Sequence, residues 1–270
     1  MDRLKLGGVQ LEYEVHGSGE PVLLIHGAHI ADAMRPLVDE PALDGFQLIR
    51  YHRRGFAGSD HPPGPTSIGE QADDAAGVLD GLGVDPTHVV GHSLGGVIAL
   101  ELAARRPTQV LSLSLLEPAL LTGPAGAIFG EHVEPLVELY GNGDPAAAVD
   151  GFLALVGGPG WQETIEASVP GGVAQARADA ATFFEVELPA VSAWTFGPDR
   201  SAAIACPVLS VLGTHTAPLF VEGRRHLHSW FDECHDTDIA GATHLLQMEQ
   251  PRQIATAIAE HCTAIVAGTR

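Results

Sequence analysis

Apolar residues along this chain follow two alternating periods. The run PVLLIHG (21–27) is almost wholly apolar and stops at a glycine, the pattern of a short strand covered on both faces. FQLIRYH (46–52), HVVGHS (88–93), VLSLSLLEP (110–118) and PVLSVLG (207–213) repeat it, and ECHDTDIAG (233–241) does so more weakly. Ahead of them, LKLGGVQLEYEVHG reads as two short strands around Gly7-Gly8. Between strands the period lengthens to that of a helix. Thr66 or Ser67 can cap a helix to about Leu82, with Ile68, Ala72, Ala75, Ala76 and Leu79 on one face. LGGVIALELAARRP (94–107) forms a helix that ends before Pro107, and PLFVEGRRHLHSWF (218–231) forms another. A last helix, about 246–266, puts Ile254, Ile258, Cys262 and Ile265 on one stripe. Such alternation predicts an α/β fold, a mostly parallel, doubly wound sheet of about eight strands.

From Leu121 to about Arg200 the pattern changes to helical, Gly-broken, aromatic-bearing segments without a convincing strand. The expected organisation is therefore a core made of residues 1–121 and 200–270, with a helical lid, 122–199, inserted after the sixth strand. No internal repeat is visible, which argues against a solenoid.

Composition narrows the function. The chain has 270 residues, 45% hydrophobic and 18% charged, enough to bury one sizeable core. A formal net charge of −20 repels phosphate backbones and anionic bilayers, so neither nucleic acid nor membrane is expected as a partner. The same charge serves solubility and mildly favours neutral over anionic substrates. Cys206, Cys234 and Cys262 are odd in number and widely spaced, which suggests reduced core thiols. No signal-peptide pattern opens the sequence and no apolar run approaches the roughly 20 residues of a membrane helix, so the expected location is cytoplasmic. No ligand spacing such as H-E-x-x-H and no G-x-G-x-x-G after a strand is present, so neither metal nor cofactor is expected. The expected partner is a small-molecule substrate; a homodimer remains open.

Gly91-His92-Ser93-Leu94-Gly95 fits G-x-S-x-G between an apolar strand and a helix, where that motif has mechanical meaning. The turn must be so tight that side chains at the flanking positions would clash, and it presents the serine hydroxyl at the carboxyl end of the sheet, near the positive end of a helix dipole. With His26-Gly27 after the third strand and the turn RRGFAGSD (53–60), similar to R-G-x-G-x-S, the chain resembles the α/β-hydrolase fold superfamily, serine branch, over residues 1–121 and 200–270. That resemblance implies an oxyanion hole from the backbone N–H groups of Ala28 and Leu94. His26 reads better as a histidine tying loops together than as a proton carrier.

A serine hydroxyl needs a base, and fourteen histidines do not by themselves nominate one. His244, in GATHLLQMEQP, follows the last predicted strand, where the resemblance places the catalytic imidazole. The ring of His92 should point away from Ser93 and is a candidate for lining the substrate pocket; His215, His226 and His228 read as surface or packing residues. Many relatives carry an aspartate after the seventh strand, but here the stretch is Gly213-Thr214-His215-Thr216. A second acid position, after the sixth strand, is used by some relatives and holds Glu117 here. The implied triad is Ser93, Glu117 and His244, with Glu222 and Asp236 as the other candidates for the acid.

These residues imply a serine hydrolase that cleaves a carboxylic ester or lactone through an acyl-enzyme on Ser93. A serine at that position argues against dehalogenase and epoxide hydrolase chemistry, which use an aspartate there. The lid aromatics suggest a bulky, neutral, apolar substrate, with Trp161, Phe129 and Phe183 as pocket candidates. The glutamate after strand six, the G-x-x-T end of strand seven and the tryptophan-bearing lid are similar to fungal lactonases acting on zearalenone, which raises lactone above simple ester. A C–C bond hydrolase or perhydrolase, a non-hydrolytic cyclase and a receptor-type binding module are the alternatives.

Overall fold

The computed structural model describes residues 1–268. β1 (Asp2–Leu6) and β2 (Val9–Gly17) form a hairpin in which Leu6 faces Val9 across Gly7-Gly8. Gly7 has φ 53°, the left-handed conformation that so short a connection favours. β3 (Glu20–Ile25), β4 (Phe46–Tyr51), β5 (Thr87–His92), β6 (Val110–Leu116), β7 (Val208–Gly213) and β8 (Cys234–Ile239) complete one sheet in the order β1-β2-β4-β3-β5-β6-β7-β8. β2 is antiparallel to both its neighbours, and every pairing from β4 to β8 is parallel.

Both faces of this sheet are covered, which is why its central strands are apolar runs: every residue of β5 and β7 is buried. The edge strand β8, CHDTDI, buries only Ile239, and its polar residues suit an edge that meets solvent. After α1 (Arg35–Val38), α2 (Ile68–Leu82) is opened by Ser67, whose hydroxyl accepts from Glu70 N–H while the Glu70 carboxylate accepts from Ser67 N–H. α3 (Leu94–Arg105) follows β5 directly and packs with α2 on one face of the sheet.

Between β6 and β7 lie α4 (Pro124–Gly141), α5 (Pro145–Gly157), α6 (Trp161–Ser168), α7 (Gly172–Ala178), a π-helical turn over Thr182–Glu187 that runs into α8 (Leu188–Ala193), and α9 (Pro198–Ser201). This insertion has its own apolar cluster, including Leu153, Ile165, Val173, Phe183 and Phe184, joined to the core by Ile30, Leu245 and Met248. α10 (Pro218–Trp230) precedes β8, and α11 (Leu246–Glu249) and α12 (Pro251–Gly268) close the described chain. Met34 and Leu37 pack with Ile254, Ile258 and Cys262 of α12 on the other face of the sheet.

The expected single helix over 246–266 is two helices. Gln250 leaves helical geometry at φ −134° because it precedes Pro251, whose ring disfavours the helical region for the residue before it. β8 stops at Ile239 instead of 241, and α1 had no counterpart in the hydrophobic pattern. Residues 269–270, the end of the expected core segment, lie outside the described residues. All three cysteines are free; Cys262 is buried, whereas Cys206 and Cys234 are only half-buried and so are not full core residues. No helix among the described residues is long and apolar enough to cross a membrane.

Candidate active site

The turn from β5 to α3 is built by close backbone approach. A Cβ at Gly91 would lie 2.4 Å from the carbonyl oxygen of Gly95, and one at Gly95 would lie 2.3 Å from that of Ile25. Ser93, between them, adopts φ 53° and ψ −119°, a strained conformation for a residue with a side chain. Its N–H donates to Leu116 O at 2.9 Å, which ties the turn to the end of β6.

Glu117 is the next residue after β6, fully buried and also left-handed at φ 46°. Its Oε1 accepts the Gly213 N–H at 2.8 Å, and its Oε2 lies 2.6 Å from Nδ1 of His244, whose Nδ1–H donates to it. Gly213 ends β7, where a Cβ would meet Ala242 O at 2.3 Å, so the loops after β7 and β8 touch backbone to backbone. The other two acid candidates are engaged elsewhere. Glu222 accepts from Ala125 N–H at 2.7 Å at the start of α4, and Asp236 faces His228 at 3.0 Å and Arg224 at 3.3 Å.

Several contacts hold the His244 loop. The imidazole stacks on Phe220 at 4.0 Å and 10°. Nε2–H of His92 donates to His244 O at 2.9 Å, and the Gln247 amide donates to Nδ1 of His92 at 3.3 Å. His92, expected to line the substrate pocket, spends both nitrogens on this loop and also lines, with Ser93 and His244, a small hollow of about 20 Å³. Burial pushes His244 down to about 3 and Glu117 up to about 7, the latter opposed by the Gly213 N–H. At rest the imidazole is neutral, as a proton acceptor must be.

Ser93 and His244 open onto one cavity of about 40 Å³ with an almost wholly apolar wall, including Ala28, Leu94, Phe129, Phe152, Phe183 and Phe220. Phe129 and Phe183 thus lie where the sequence suggested. Trp161 does not: it is half-buried at the start of α6, and its Cβ approaches Gly157 within the insertion's own cluster. Leu94 is the first residue of α3, so its N–H has no intrahelical acceptor.

Arg53 and Glu187 were not singled out by sequence. Arg53 is 1% exposed; its Nη2–H donates to Gly27 O at 2.7 Å and its Nε–H to His26 O at 3.1 Å. Nδ1–H of His26 adds a second donor to Gly27 O at 2.8 Å, while its Nε2 accepts Arg53 N–H at 3.0 Å. In a trans peptide the N–H points opposite to the preceding carbonyl, so clamping Gly27 O aims the Ala28 N–H away from Arg53. The guanidinium is itself paired with buried Glu187 of the π-helical turn and with Gln71. The RRGFAGSD turn pointed to Arg53 only as part of a motif; a lid carboxylate reaching it is a tertiary fact with no local signal.

A larger hollow, about 350 Å³, lies between residues 61–66 and the π-helical turn and does not include Ser93 or His244; its Arg54 is paired with Asp74 at 2.6 Å. Among the described residues, His228, Cys234 and Asp236 bring donor atoms within 4.8 Å of one another, but Arg224, 3.3 Å from Asp236, competes there with any cation.

The sheet order, the Ser93 turn and the helical insertion after β6 define an α/β-hydrolase architecture. The family model for the alpha/beta hydrolase fold matches residues 20–148. An enol-lactonase from Burkholderia xenovorans LB400 superposes with a TM-score of 0.81 at 21% identity, over 97% of this chain and 100% of that one. A thermophilic esterase from Thermogutta terrifontis does so at 0.80 and 24% identity, over 98% and 99%. RutD of Azorhizobium caulinodans, whose name assigns it provisionally to carbamate hydrolysis, is 42% identical over 111 residues, 41% of this chain and 42% of that relative. The chain thus matches well under half the length of that curated relative. Its fold is that of the α/β hydrolases, and the family match covers just under half of the chain.

Proposed function

We propose that this protein is a serine hydrolase acting on a carboxylic ester or lactone of a neutral, mainly apolar compound. The observation that carries the reading is that Ser93 shares an apolar cavity with His244, whose Nδ1–H is held by the buried Glu117 carboxylate. In the reaction, Nε2 of His244 takes the Ser93 proton as Oγ attacks the carbonyl carbon. The backbone N–H groups of Ala28 and Leu94 hold the oxyanion, and the imidazolium returns its proton to the leaving alkoxide. Water, activated by the same imidazole, then attacks the acyl-enzyme and frees the serine.

No Lys or Arg lines the cavity among the described residues, which favours a neutral substrate. Small-molecule pockets usually enclose about 300–1,000 Å³. A cavity of about 40 Å³ is too small for a bulky ester, which enters only when the insertion carrying Phe129, Phe152 and Phe183 shifts, and this gives that insertion the role of a lid. The enol-lactonase and esterase among its structural neighbours fit this chemistry. Steady-state assays with p-nitrophenyl esters and aromatic lactones test it: Ser93→Ala is expected to lower kcat by at least about 10³-fold with the fold intact. Undiminished turnover in pure Ser93→Ala protein would contradict it.

A further inference from the structure

His29 is a buried histidine beside the site to which the proposed chemistry gives no task. It follows Ala28 directly, adopts the left-handed φ of 64° and is 1% exposed. Its surroundings are aromatic rings: Phe183 at 4.3 Å, Phe152 at 4.9 Å and Phe184 at 6.0 Å between centroids. Neither ring nitrogen has a hydrogen-bond partner among the described residues. Buried polar groups are normally paired, and a group left unpaired costs stability that a phenyl ring of similar size would not. Rings on several sides also give a bridging water too few polar partners to hold it.

The rings that cover His29 are also walls of the cavity at Ser93, since Phe152 and Phe183 line both. A substrate larger than that cavity must displace them, and the displacement uncovers the imidazole one residue from the Ala28 N–H. We propose that His29 determines substrate specificity by hydrogen-bonding a hydroxyl or second carbonyl of the substrate, away from the reacting ester, once Phe152 and Phe183 are parted. Burial pushes His29 down to about 3, so the ring stays neutral, with one donor and one acceptor, and suits a neutral oxygen better than a carboxylate. The substrate class becomes oxygenated, neutral esters or lactones. This inference rests on the serine-hydrolase reading.

Matched ester pairs test it, one differing by a hydroxyl in the acyl chain (p-nitrophenyl butyrate and 3-hydroxybutyrate), the other by a hydroxyl in the alcohol part (phenyl and 3-hydroxyphenyl acetate). The wild type is expected to prefer the oxygenated member of at least one pair by about tenfold or more in kcat/KM, because a site built for a hydroxyl rejects the analogue that lacks it. His29→Phe is expected to bring that ratio close to one. His29→Asn, which tolerates left-handed backbone and keeps a donor and an acceptor, should retain part of the preference. His29→Leu carries the same comparison if the phenylalanine variant does not fold. No preference in the wild type for either pair, or a preference that survives in the apolar variants, would overturn the proposal. Failure of the wild type to label at Ser93 with a fluorophosphonate would instead overturn the hydrolase reading, and this inference with it.

Discussion

At the scale of single residues, the proposed chemistry makes the Glu117–His244 pair decide whether Ser93 is activated. The pair titrates as a unit. When Glu117 is protonated its O–H donates to Nδ1 of His244, the ring proton sits on Nε2, and the face toward the serine cannot accept. When Glu117 is ionised, Nδ1–H donates to it and Nε2 carries the free lone pair. Because burial raises Glu117 to about 7, kcat/KM should rise with pH and level off above about 7. Glu117→Gln removes that step and leaves an imidazole lowered to about 3, so the rise between pH 5 and 8 should vanish while kcat falls by about 10⁴-fold, the loss that a wrong tautomer causes in serine proteases. A pH–rate series on both proteins checks this, and an unchanged inflection in the variant would place the titration elsewhere. Glu117 was legible in the sequence because Thr216 stands where many relatives have an aspartate. The task of His92 was not, since a ring direction depends on Gln247 and the His244 carbonyl, both far away along the chain.

At the scale of elements, the π-helical turn Thr182–Glu187 connects the insertion to the loop that carries Ala28. Arg53 and Glu187 are each 1% exposed, and the pair lies between that turn and the His26 and Gly27 carbonyls. Removing one partner leaves a buried charge alone, so Glu187→Ala should lower the unfolding free energy by about 3–5 kcal/mol, whereas Arg53→Met with Glu187→Leu together should cost far less. Denaturant titrations of the two variants beside the wild type decide it. The double variant should still turn over slowly, because Gly27 O has lost a donor and the Ala28 N–H is less well aimed. Phe152→Ala should widen the Ser93 cavity and raise kcat/KM for bulky aryl esters relative to acetates; an equal change for both would remove Phe152 from the wall that selects by size. The strands and the helices after β4 and β5 are mostly periodic and locally signalled, as with the Ser67 capping box. The break at Gln250-Pro251 was also written locally, yet the apolar stripe running through it suggested one helix. The π-helical turn has no period of its own, and its pairing with Arg53 comes from packing.

For the whole molecule, the parallel sheet brings the ends of β3, β5, β6 and β8 together, so residues as distant as Ala28, Ser93, Glu117 and His244 meet under one insertion. The order of the parallel strands could be anticipated from the resemblance but not from the pattern of apolar positions, which is blind to which strands pair. The net charge of −20 surrounds an apolar site, so salt should change the turnover of neutral esters little. The central claim, that Ser93 is activated without an aspartate after β7, is tested most directly by intact mass after incubation with a fluorophosphonate probe. One equivalent of adduct on the wild type, none on Ser93→Ala and much slower labelling of Glu117→Gln is the predicted result. No adduct on the folded wild type, or equal labelling of the wild type and Ser93→Ala, would contradict it.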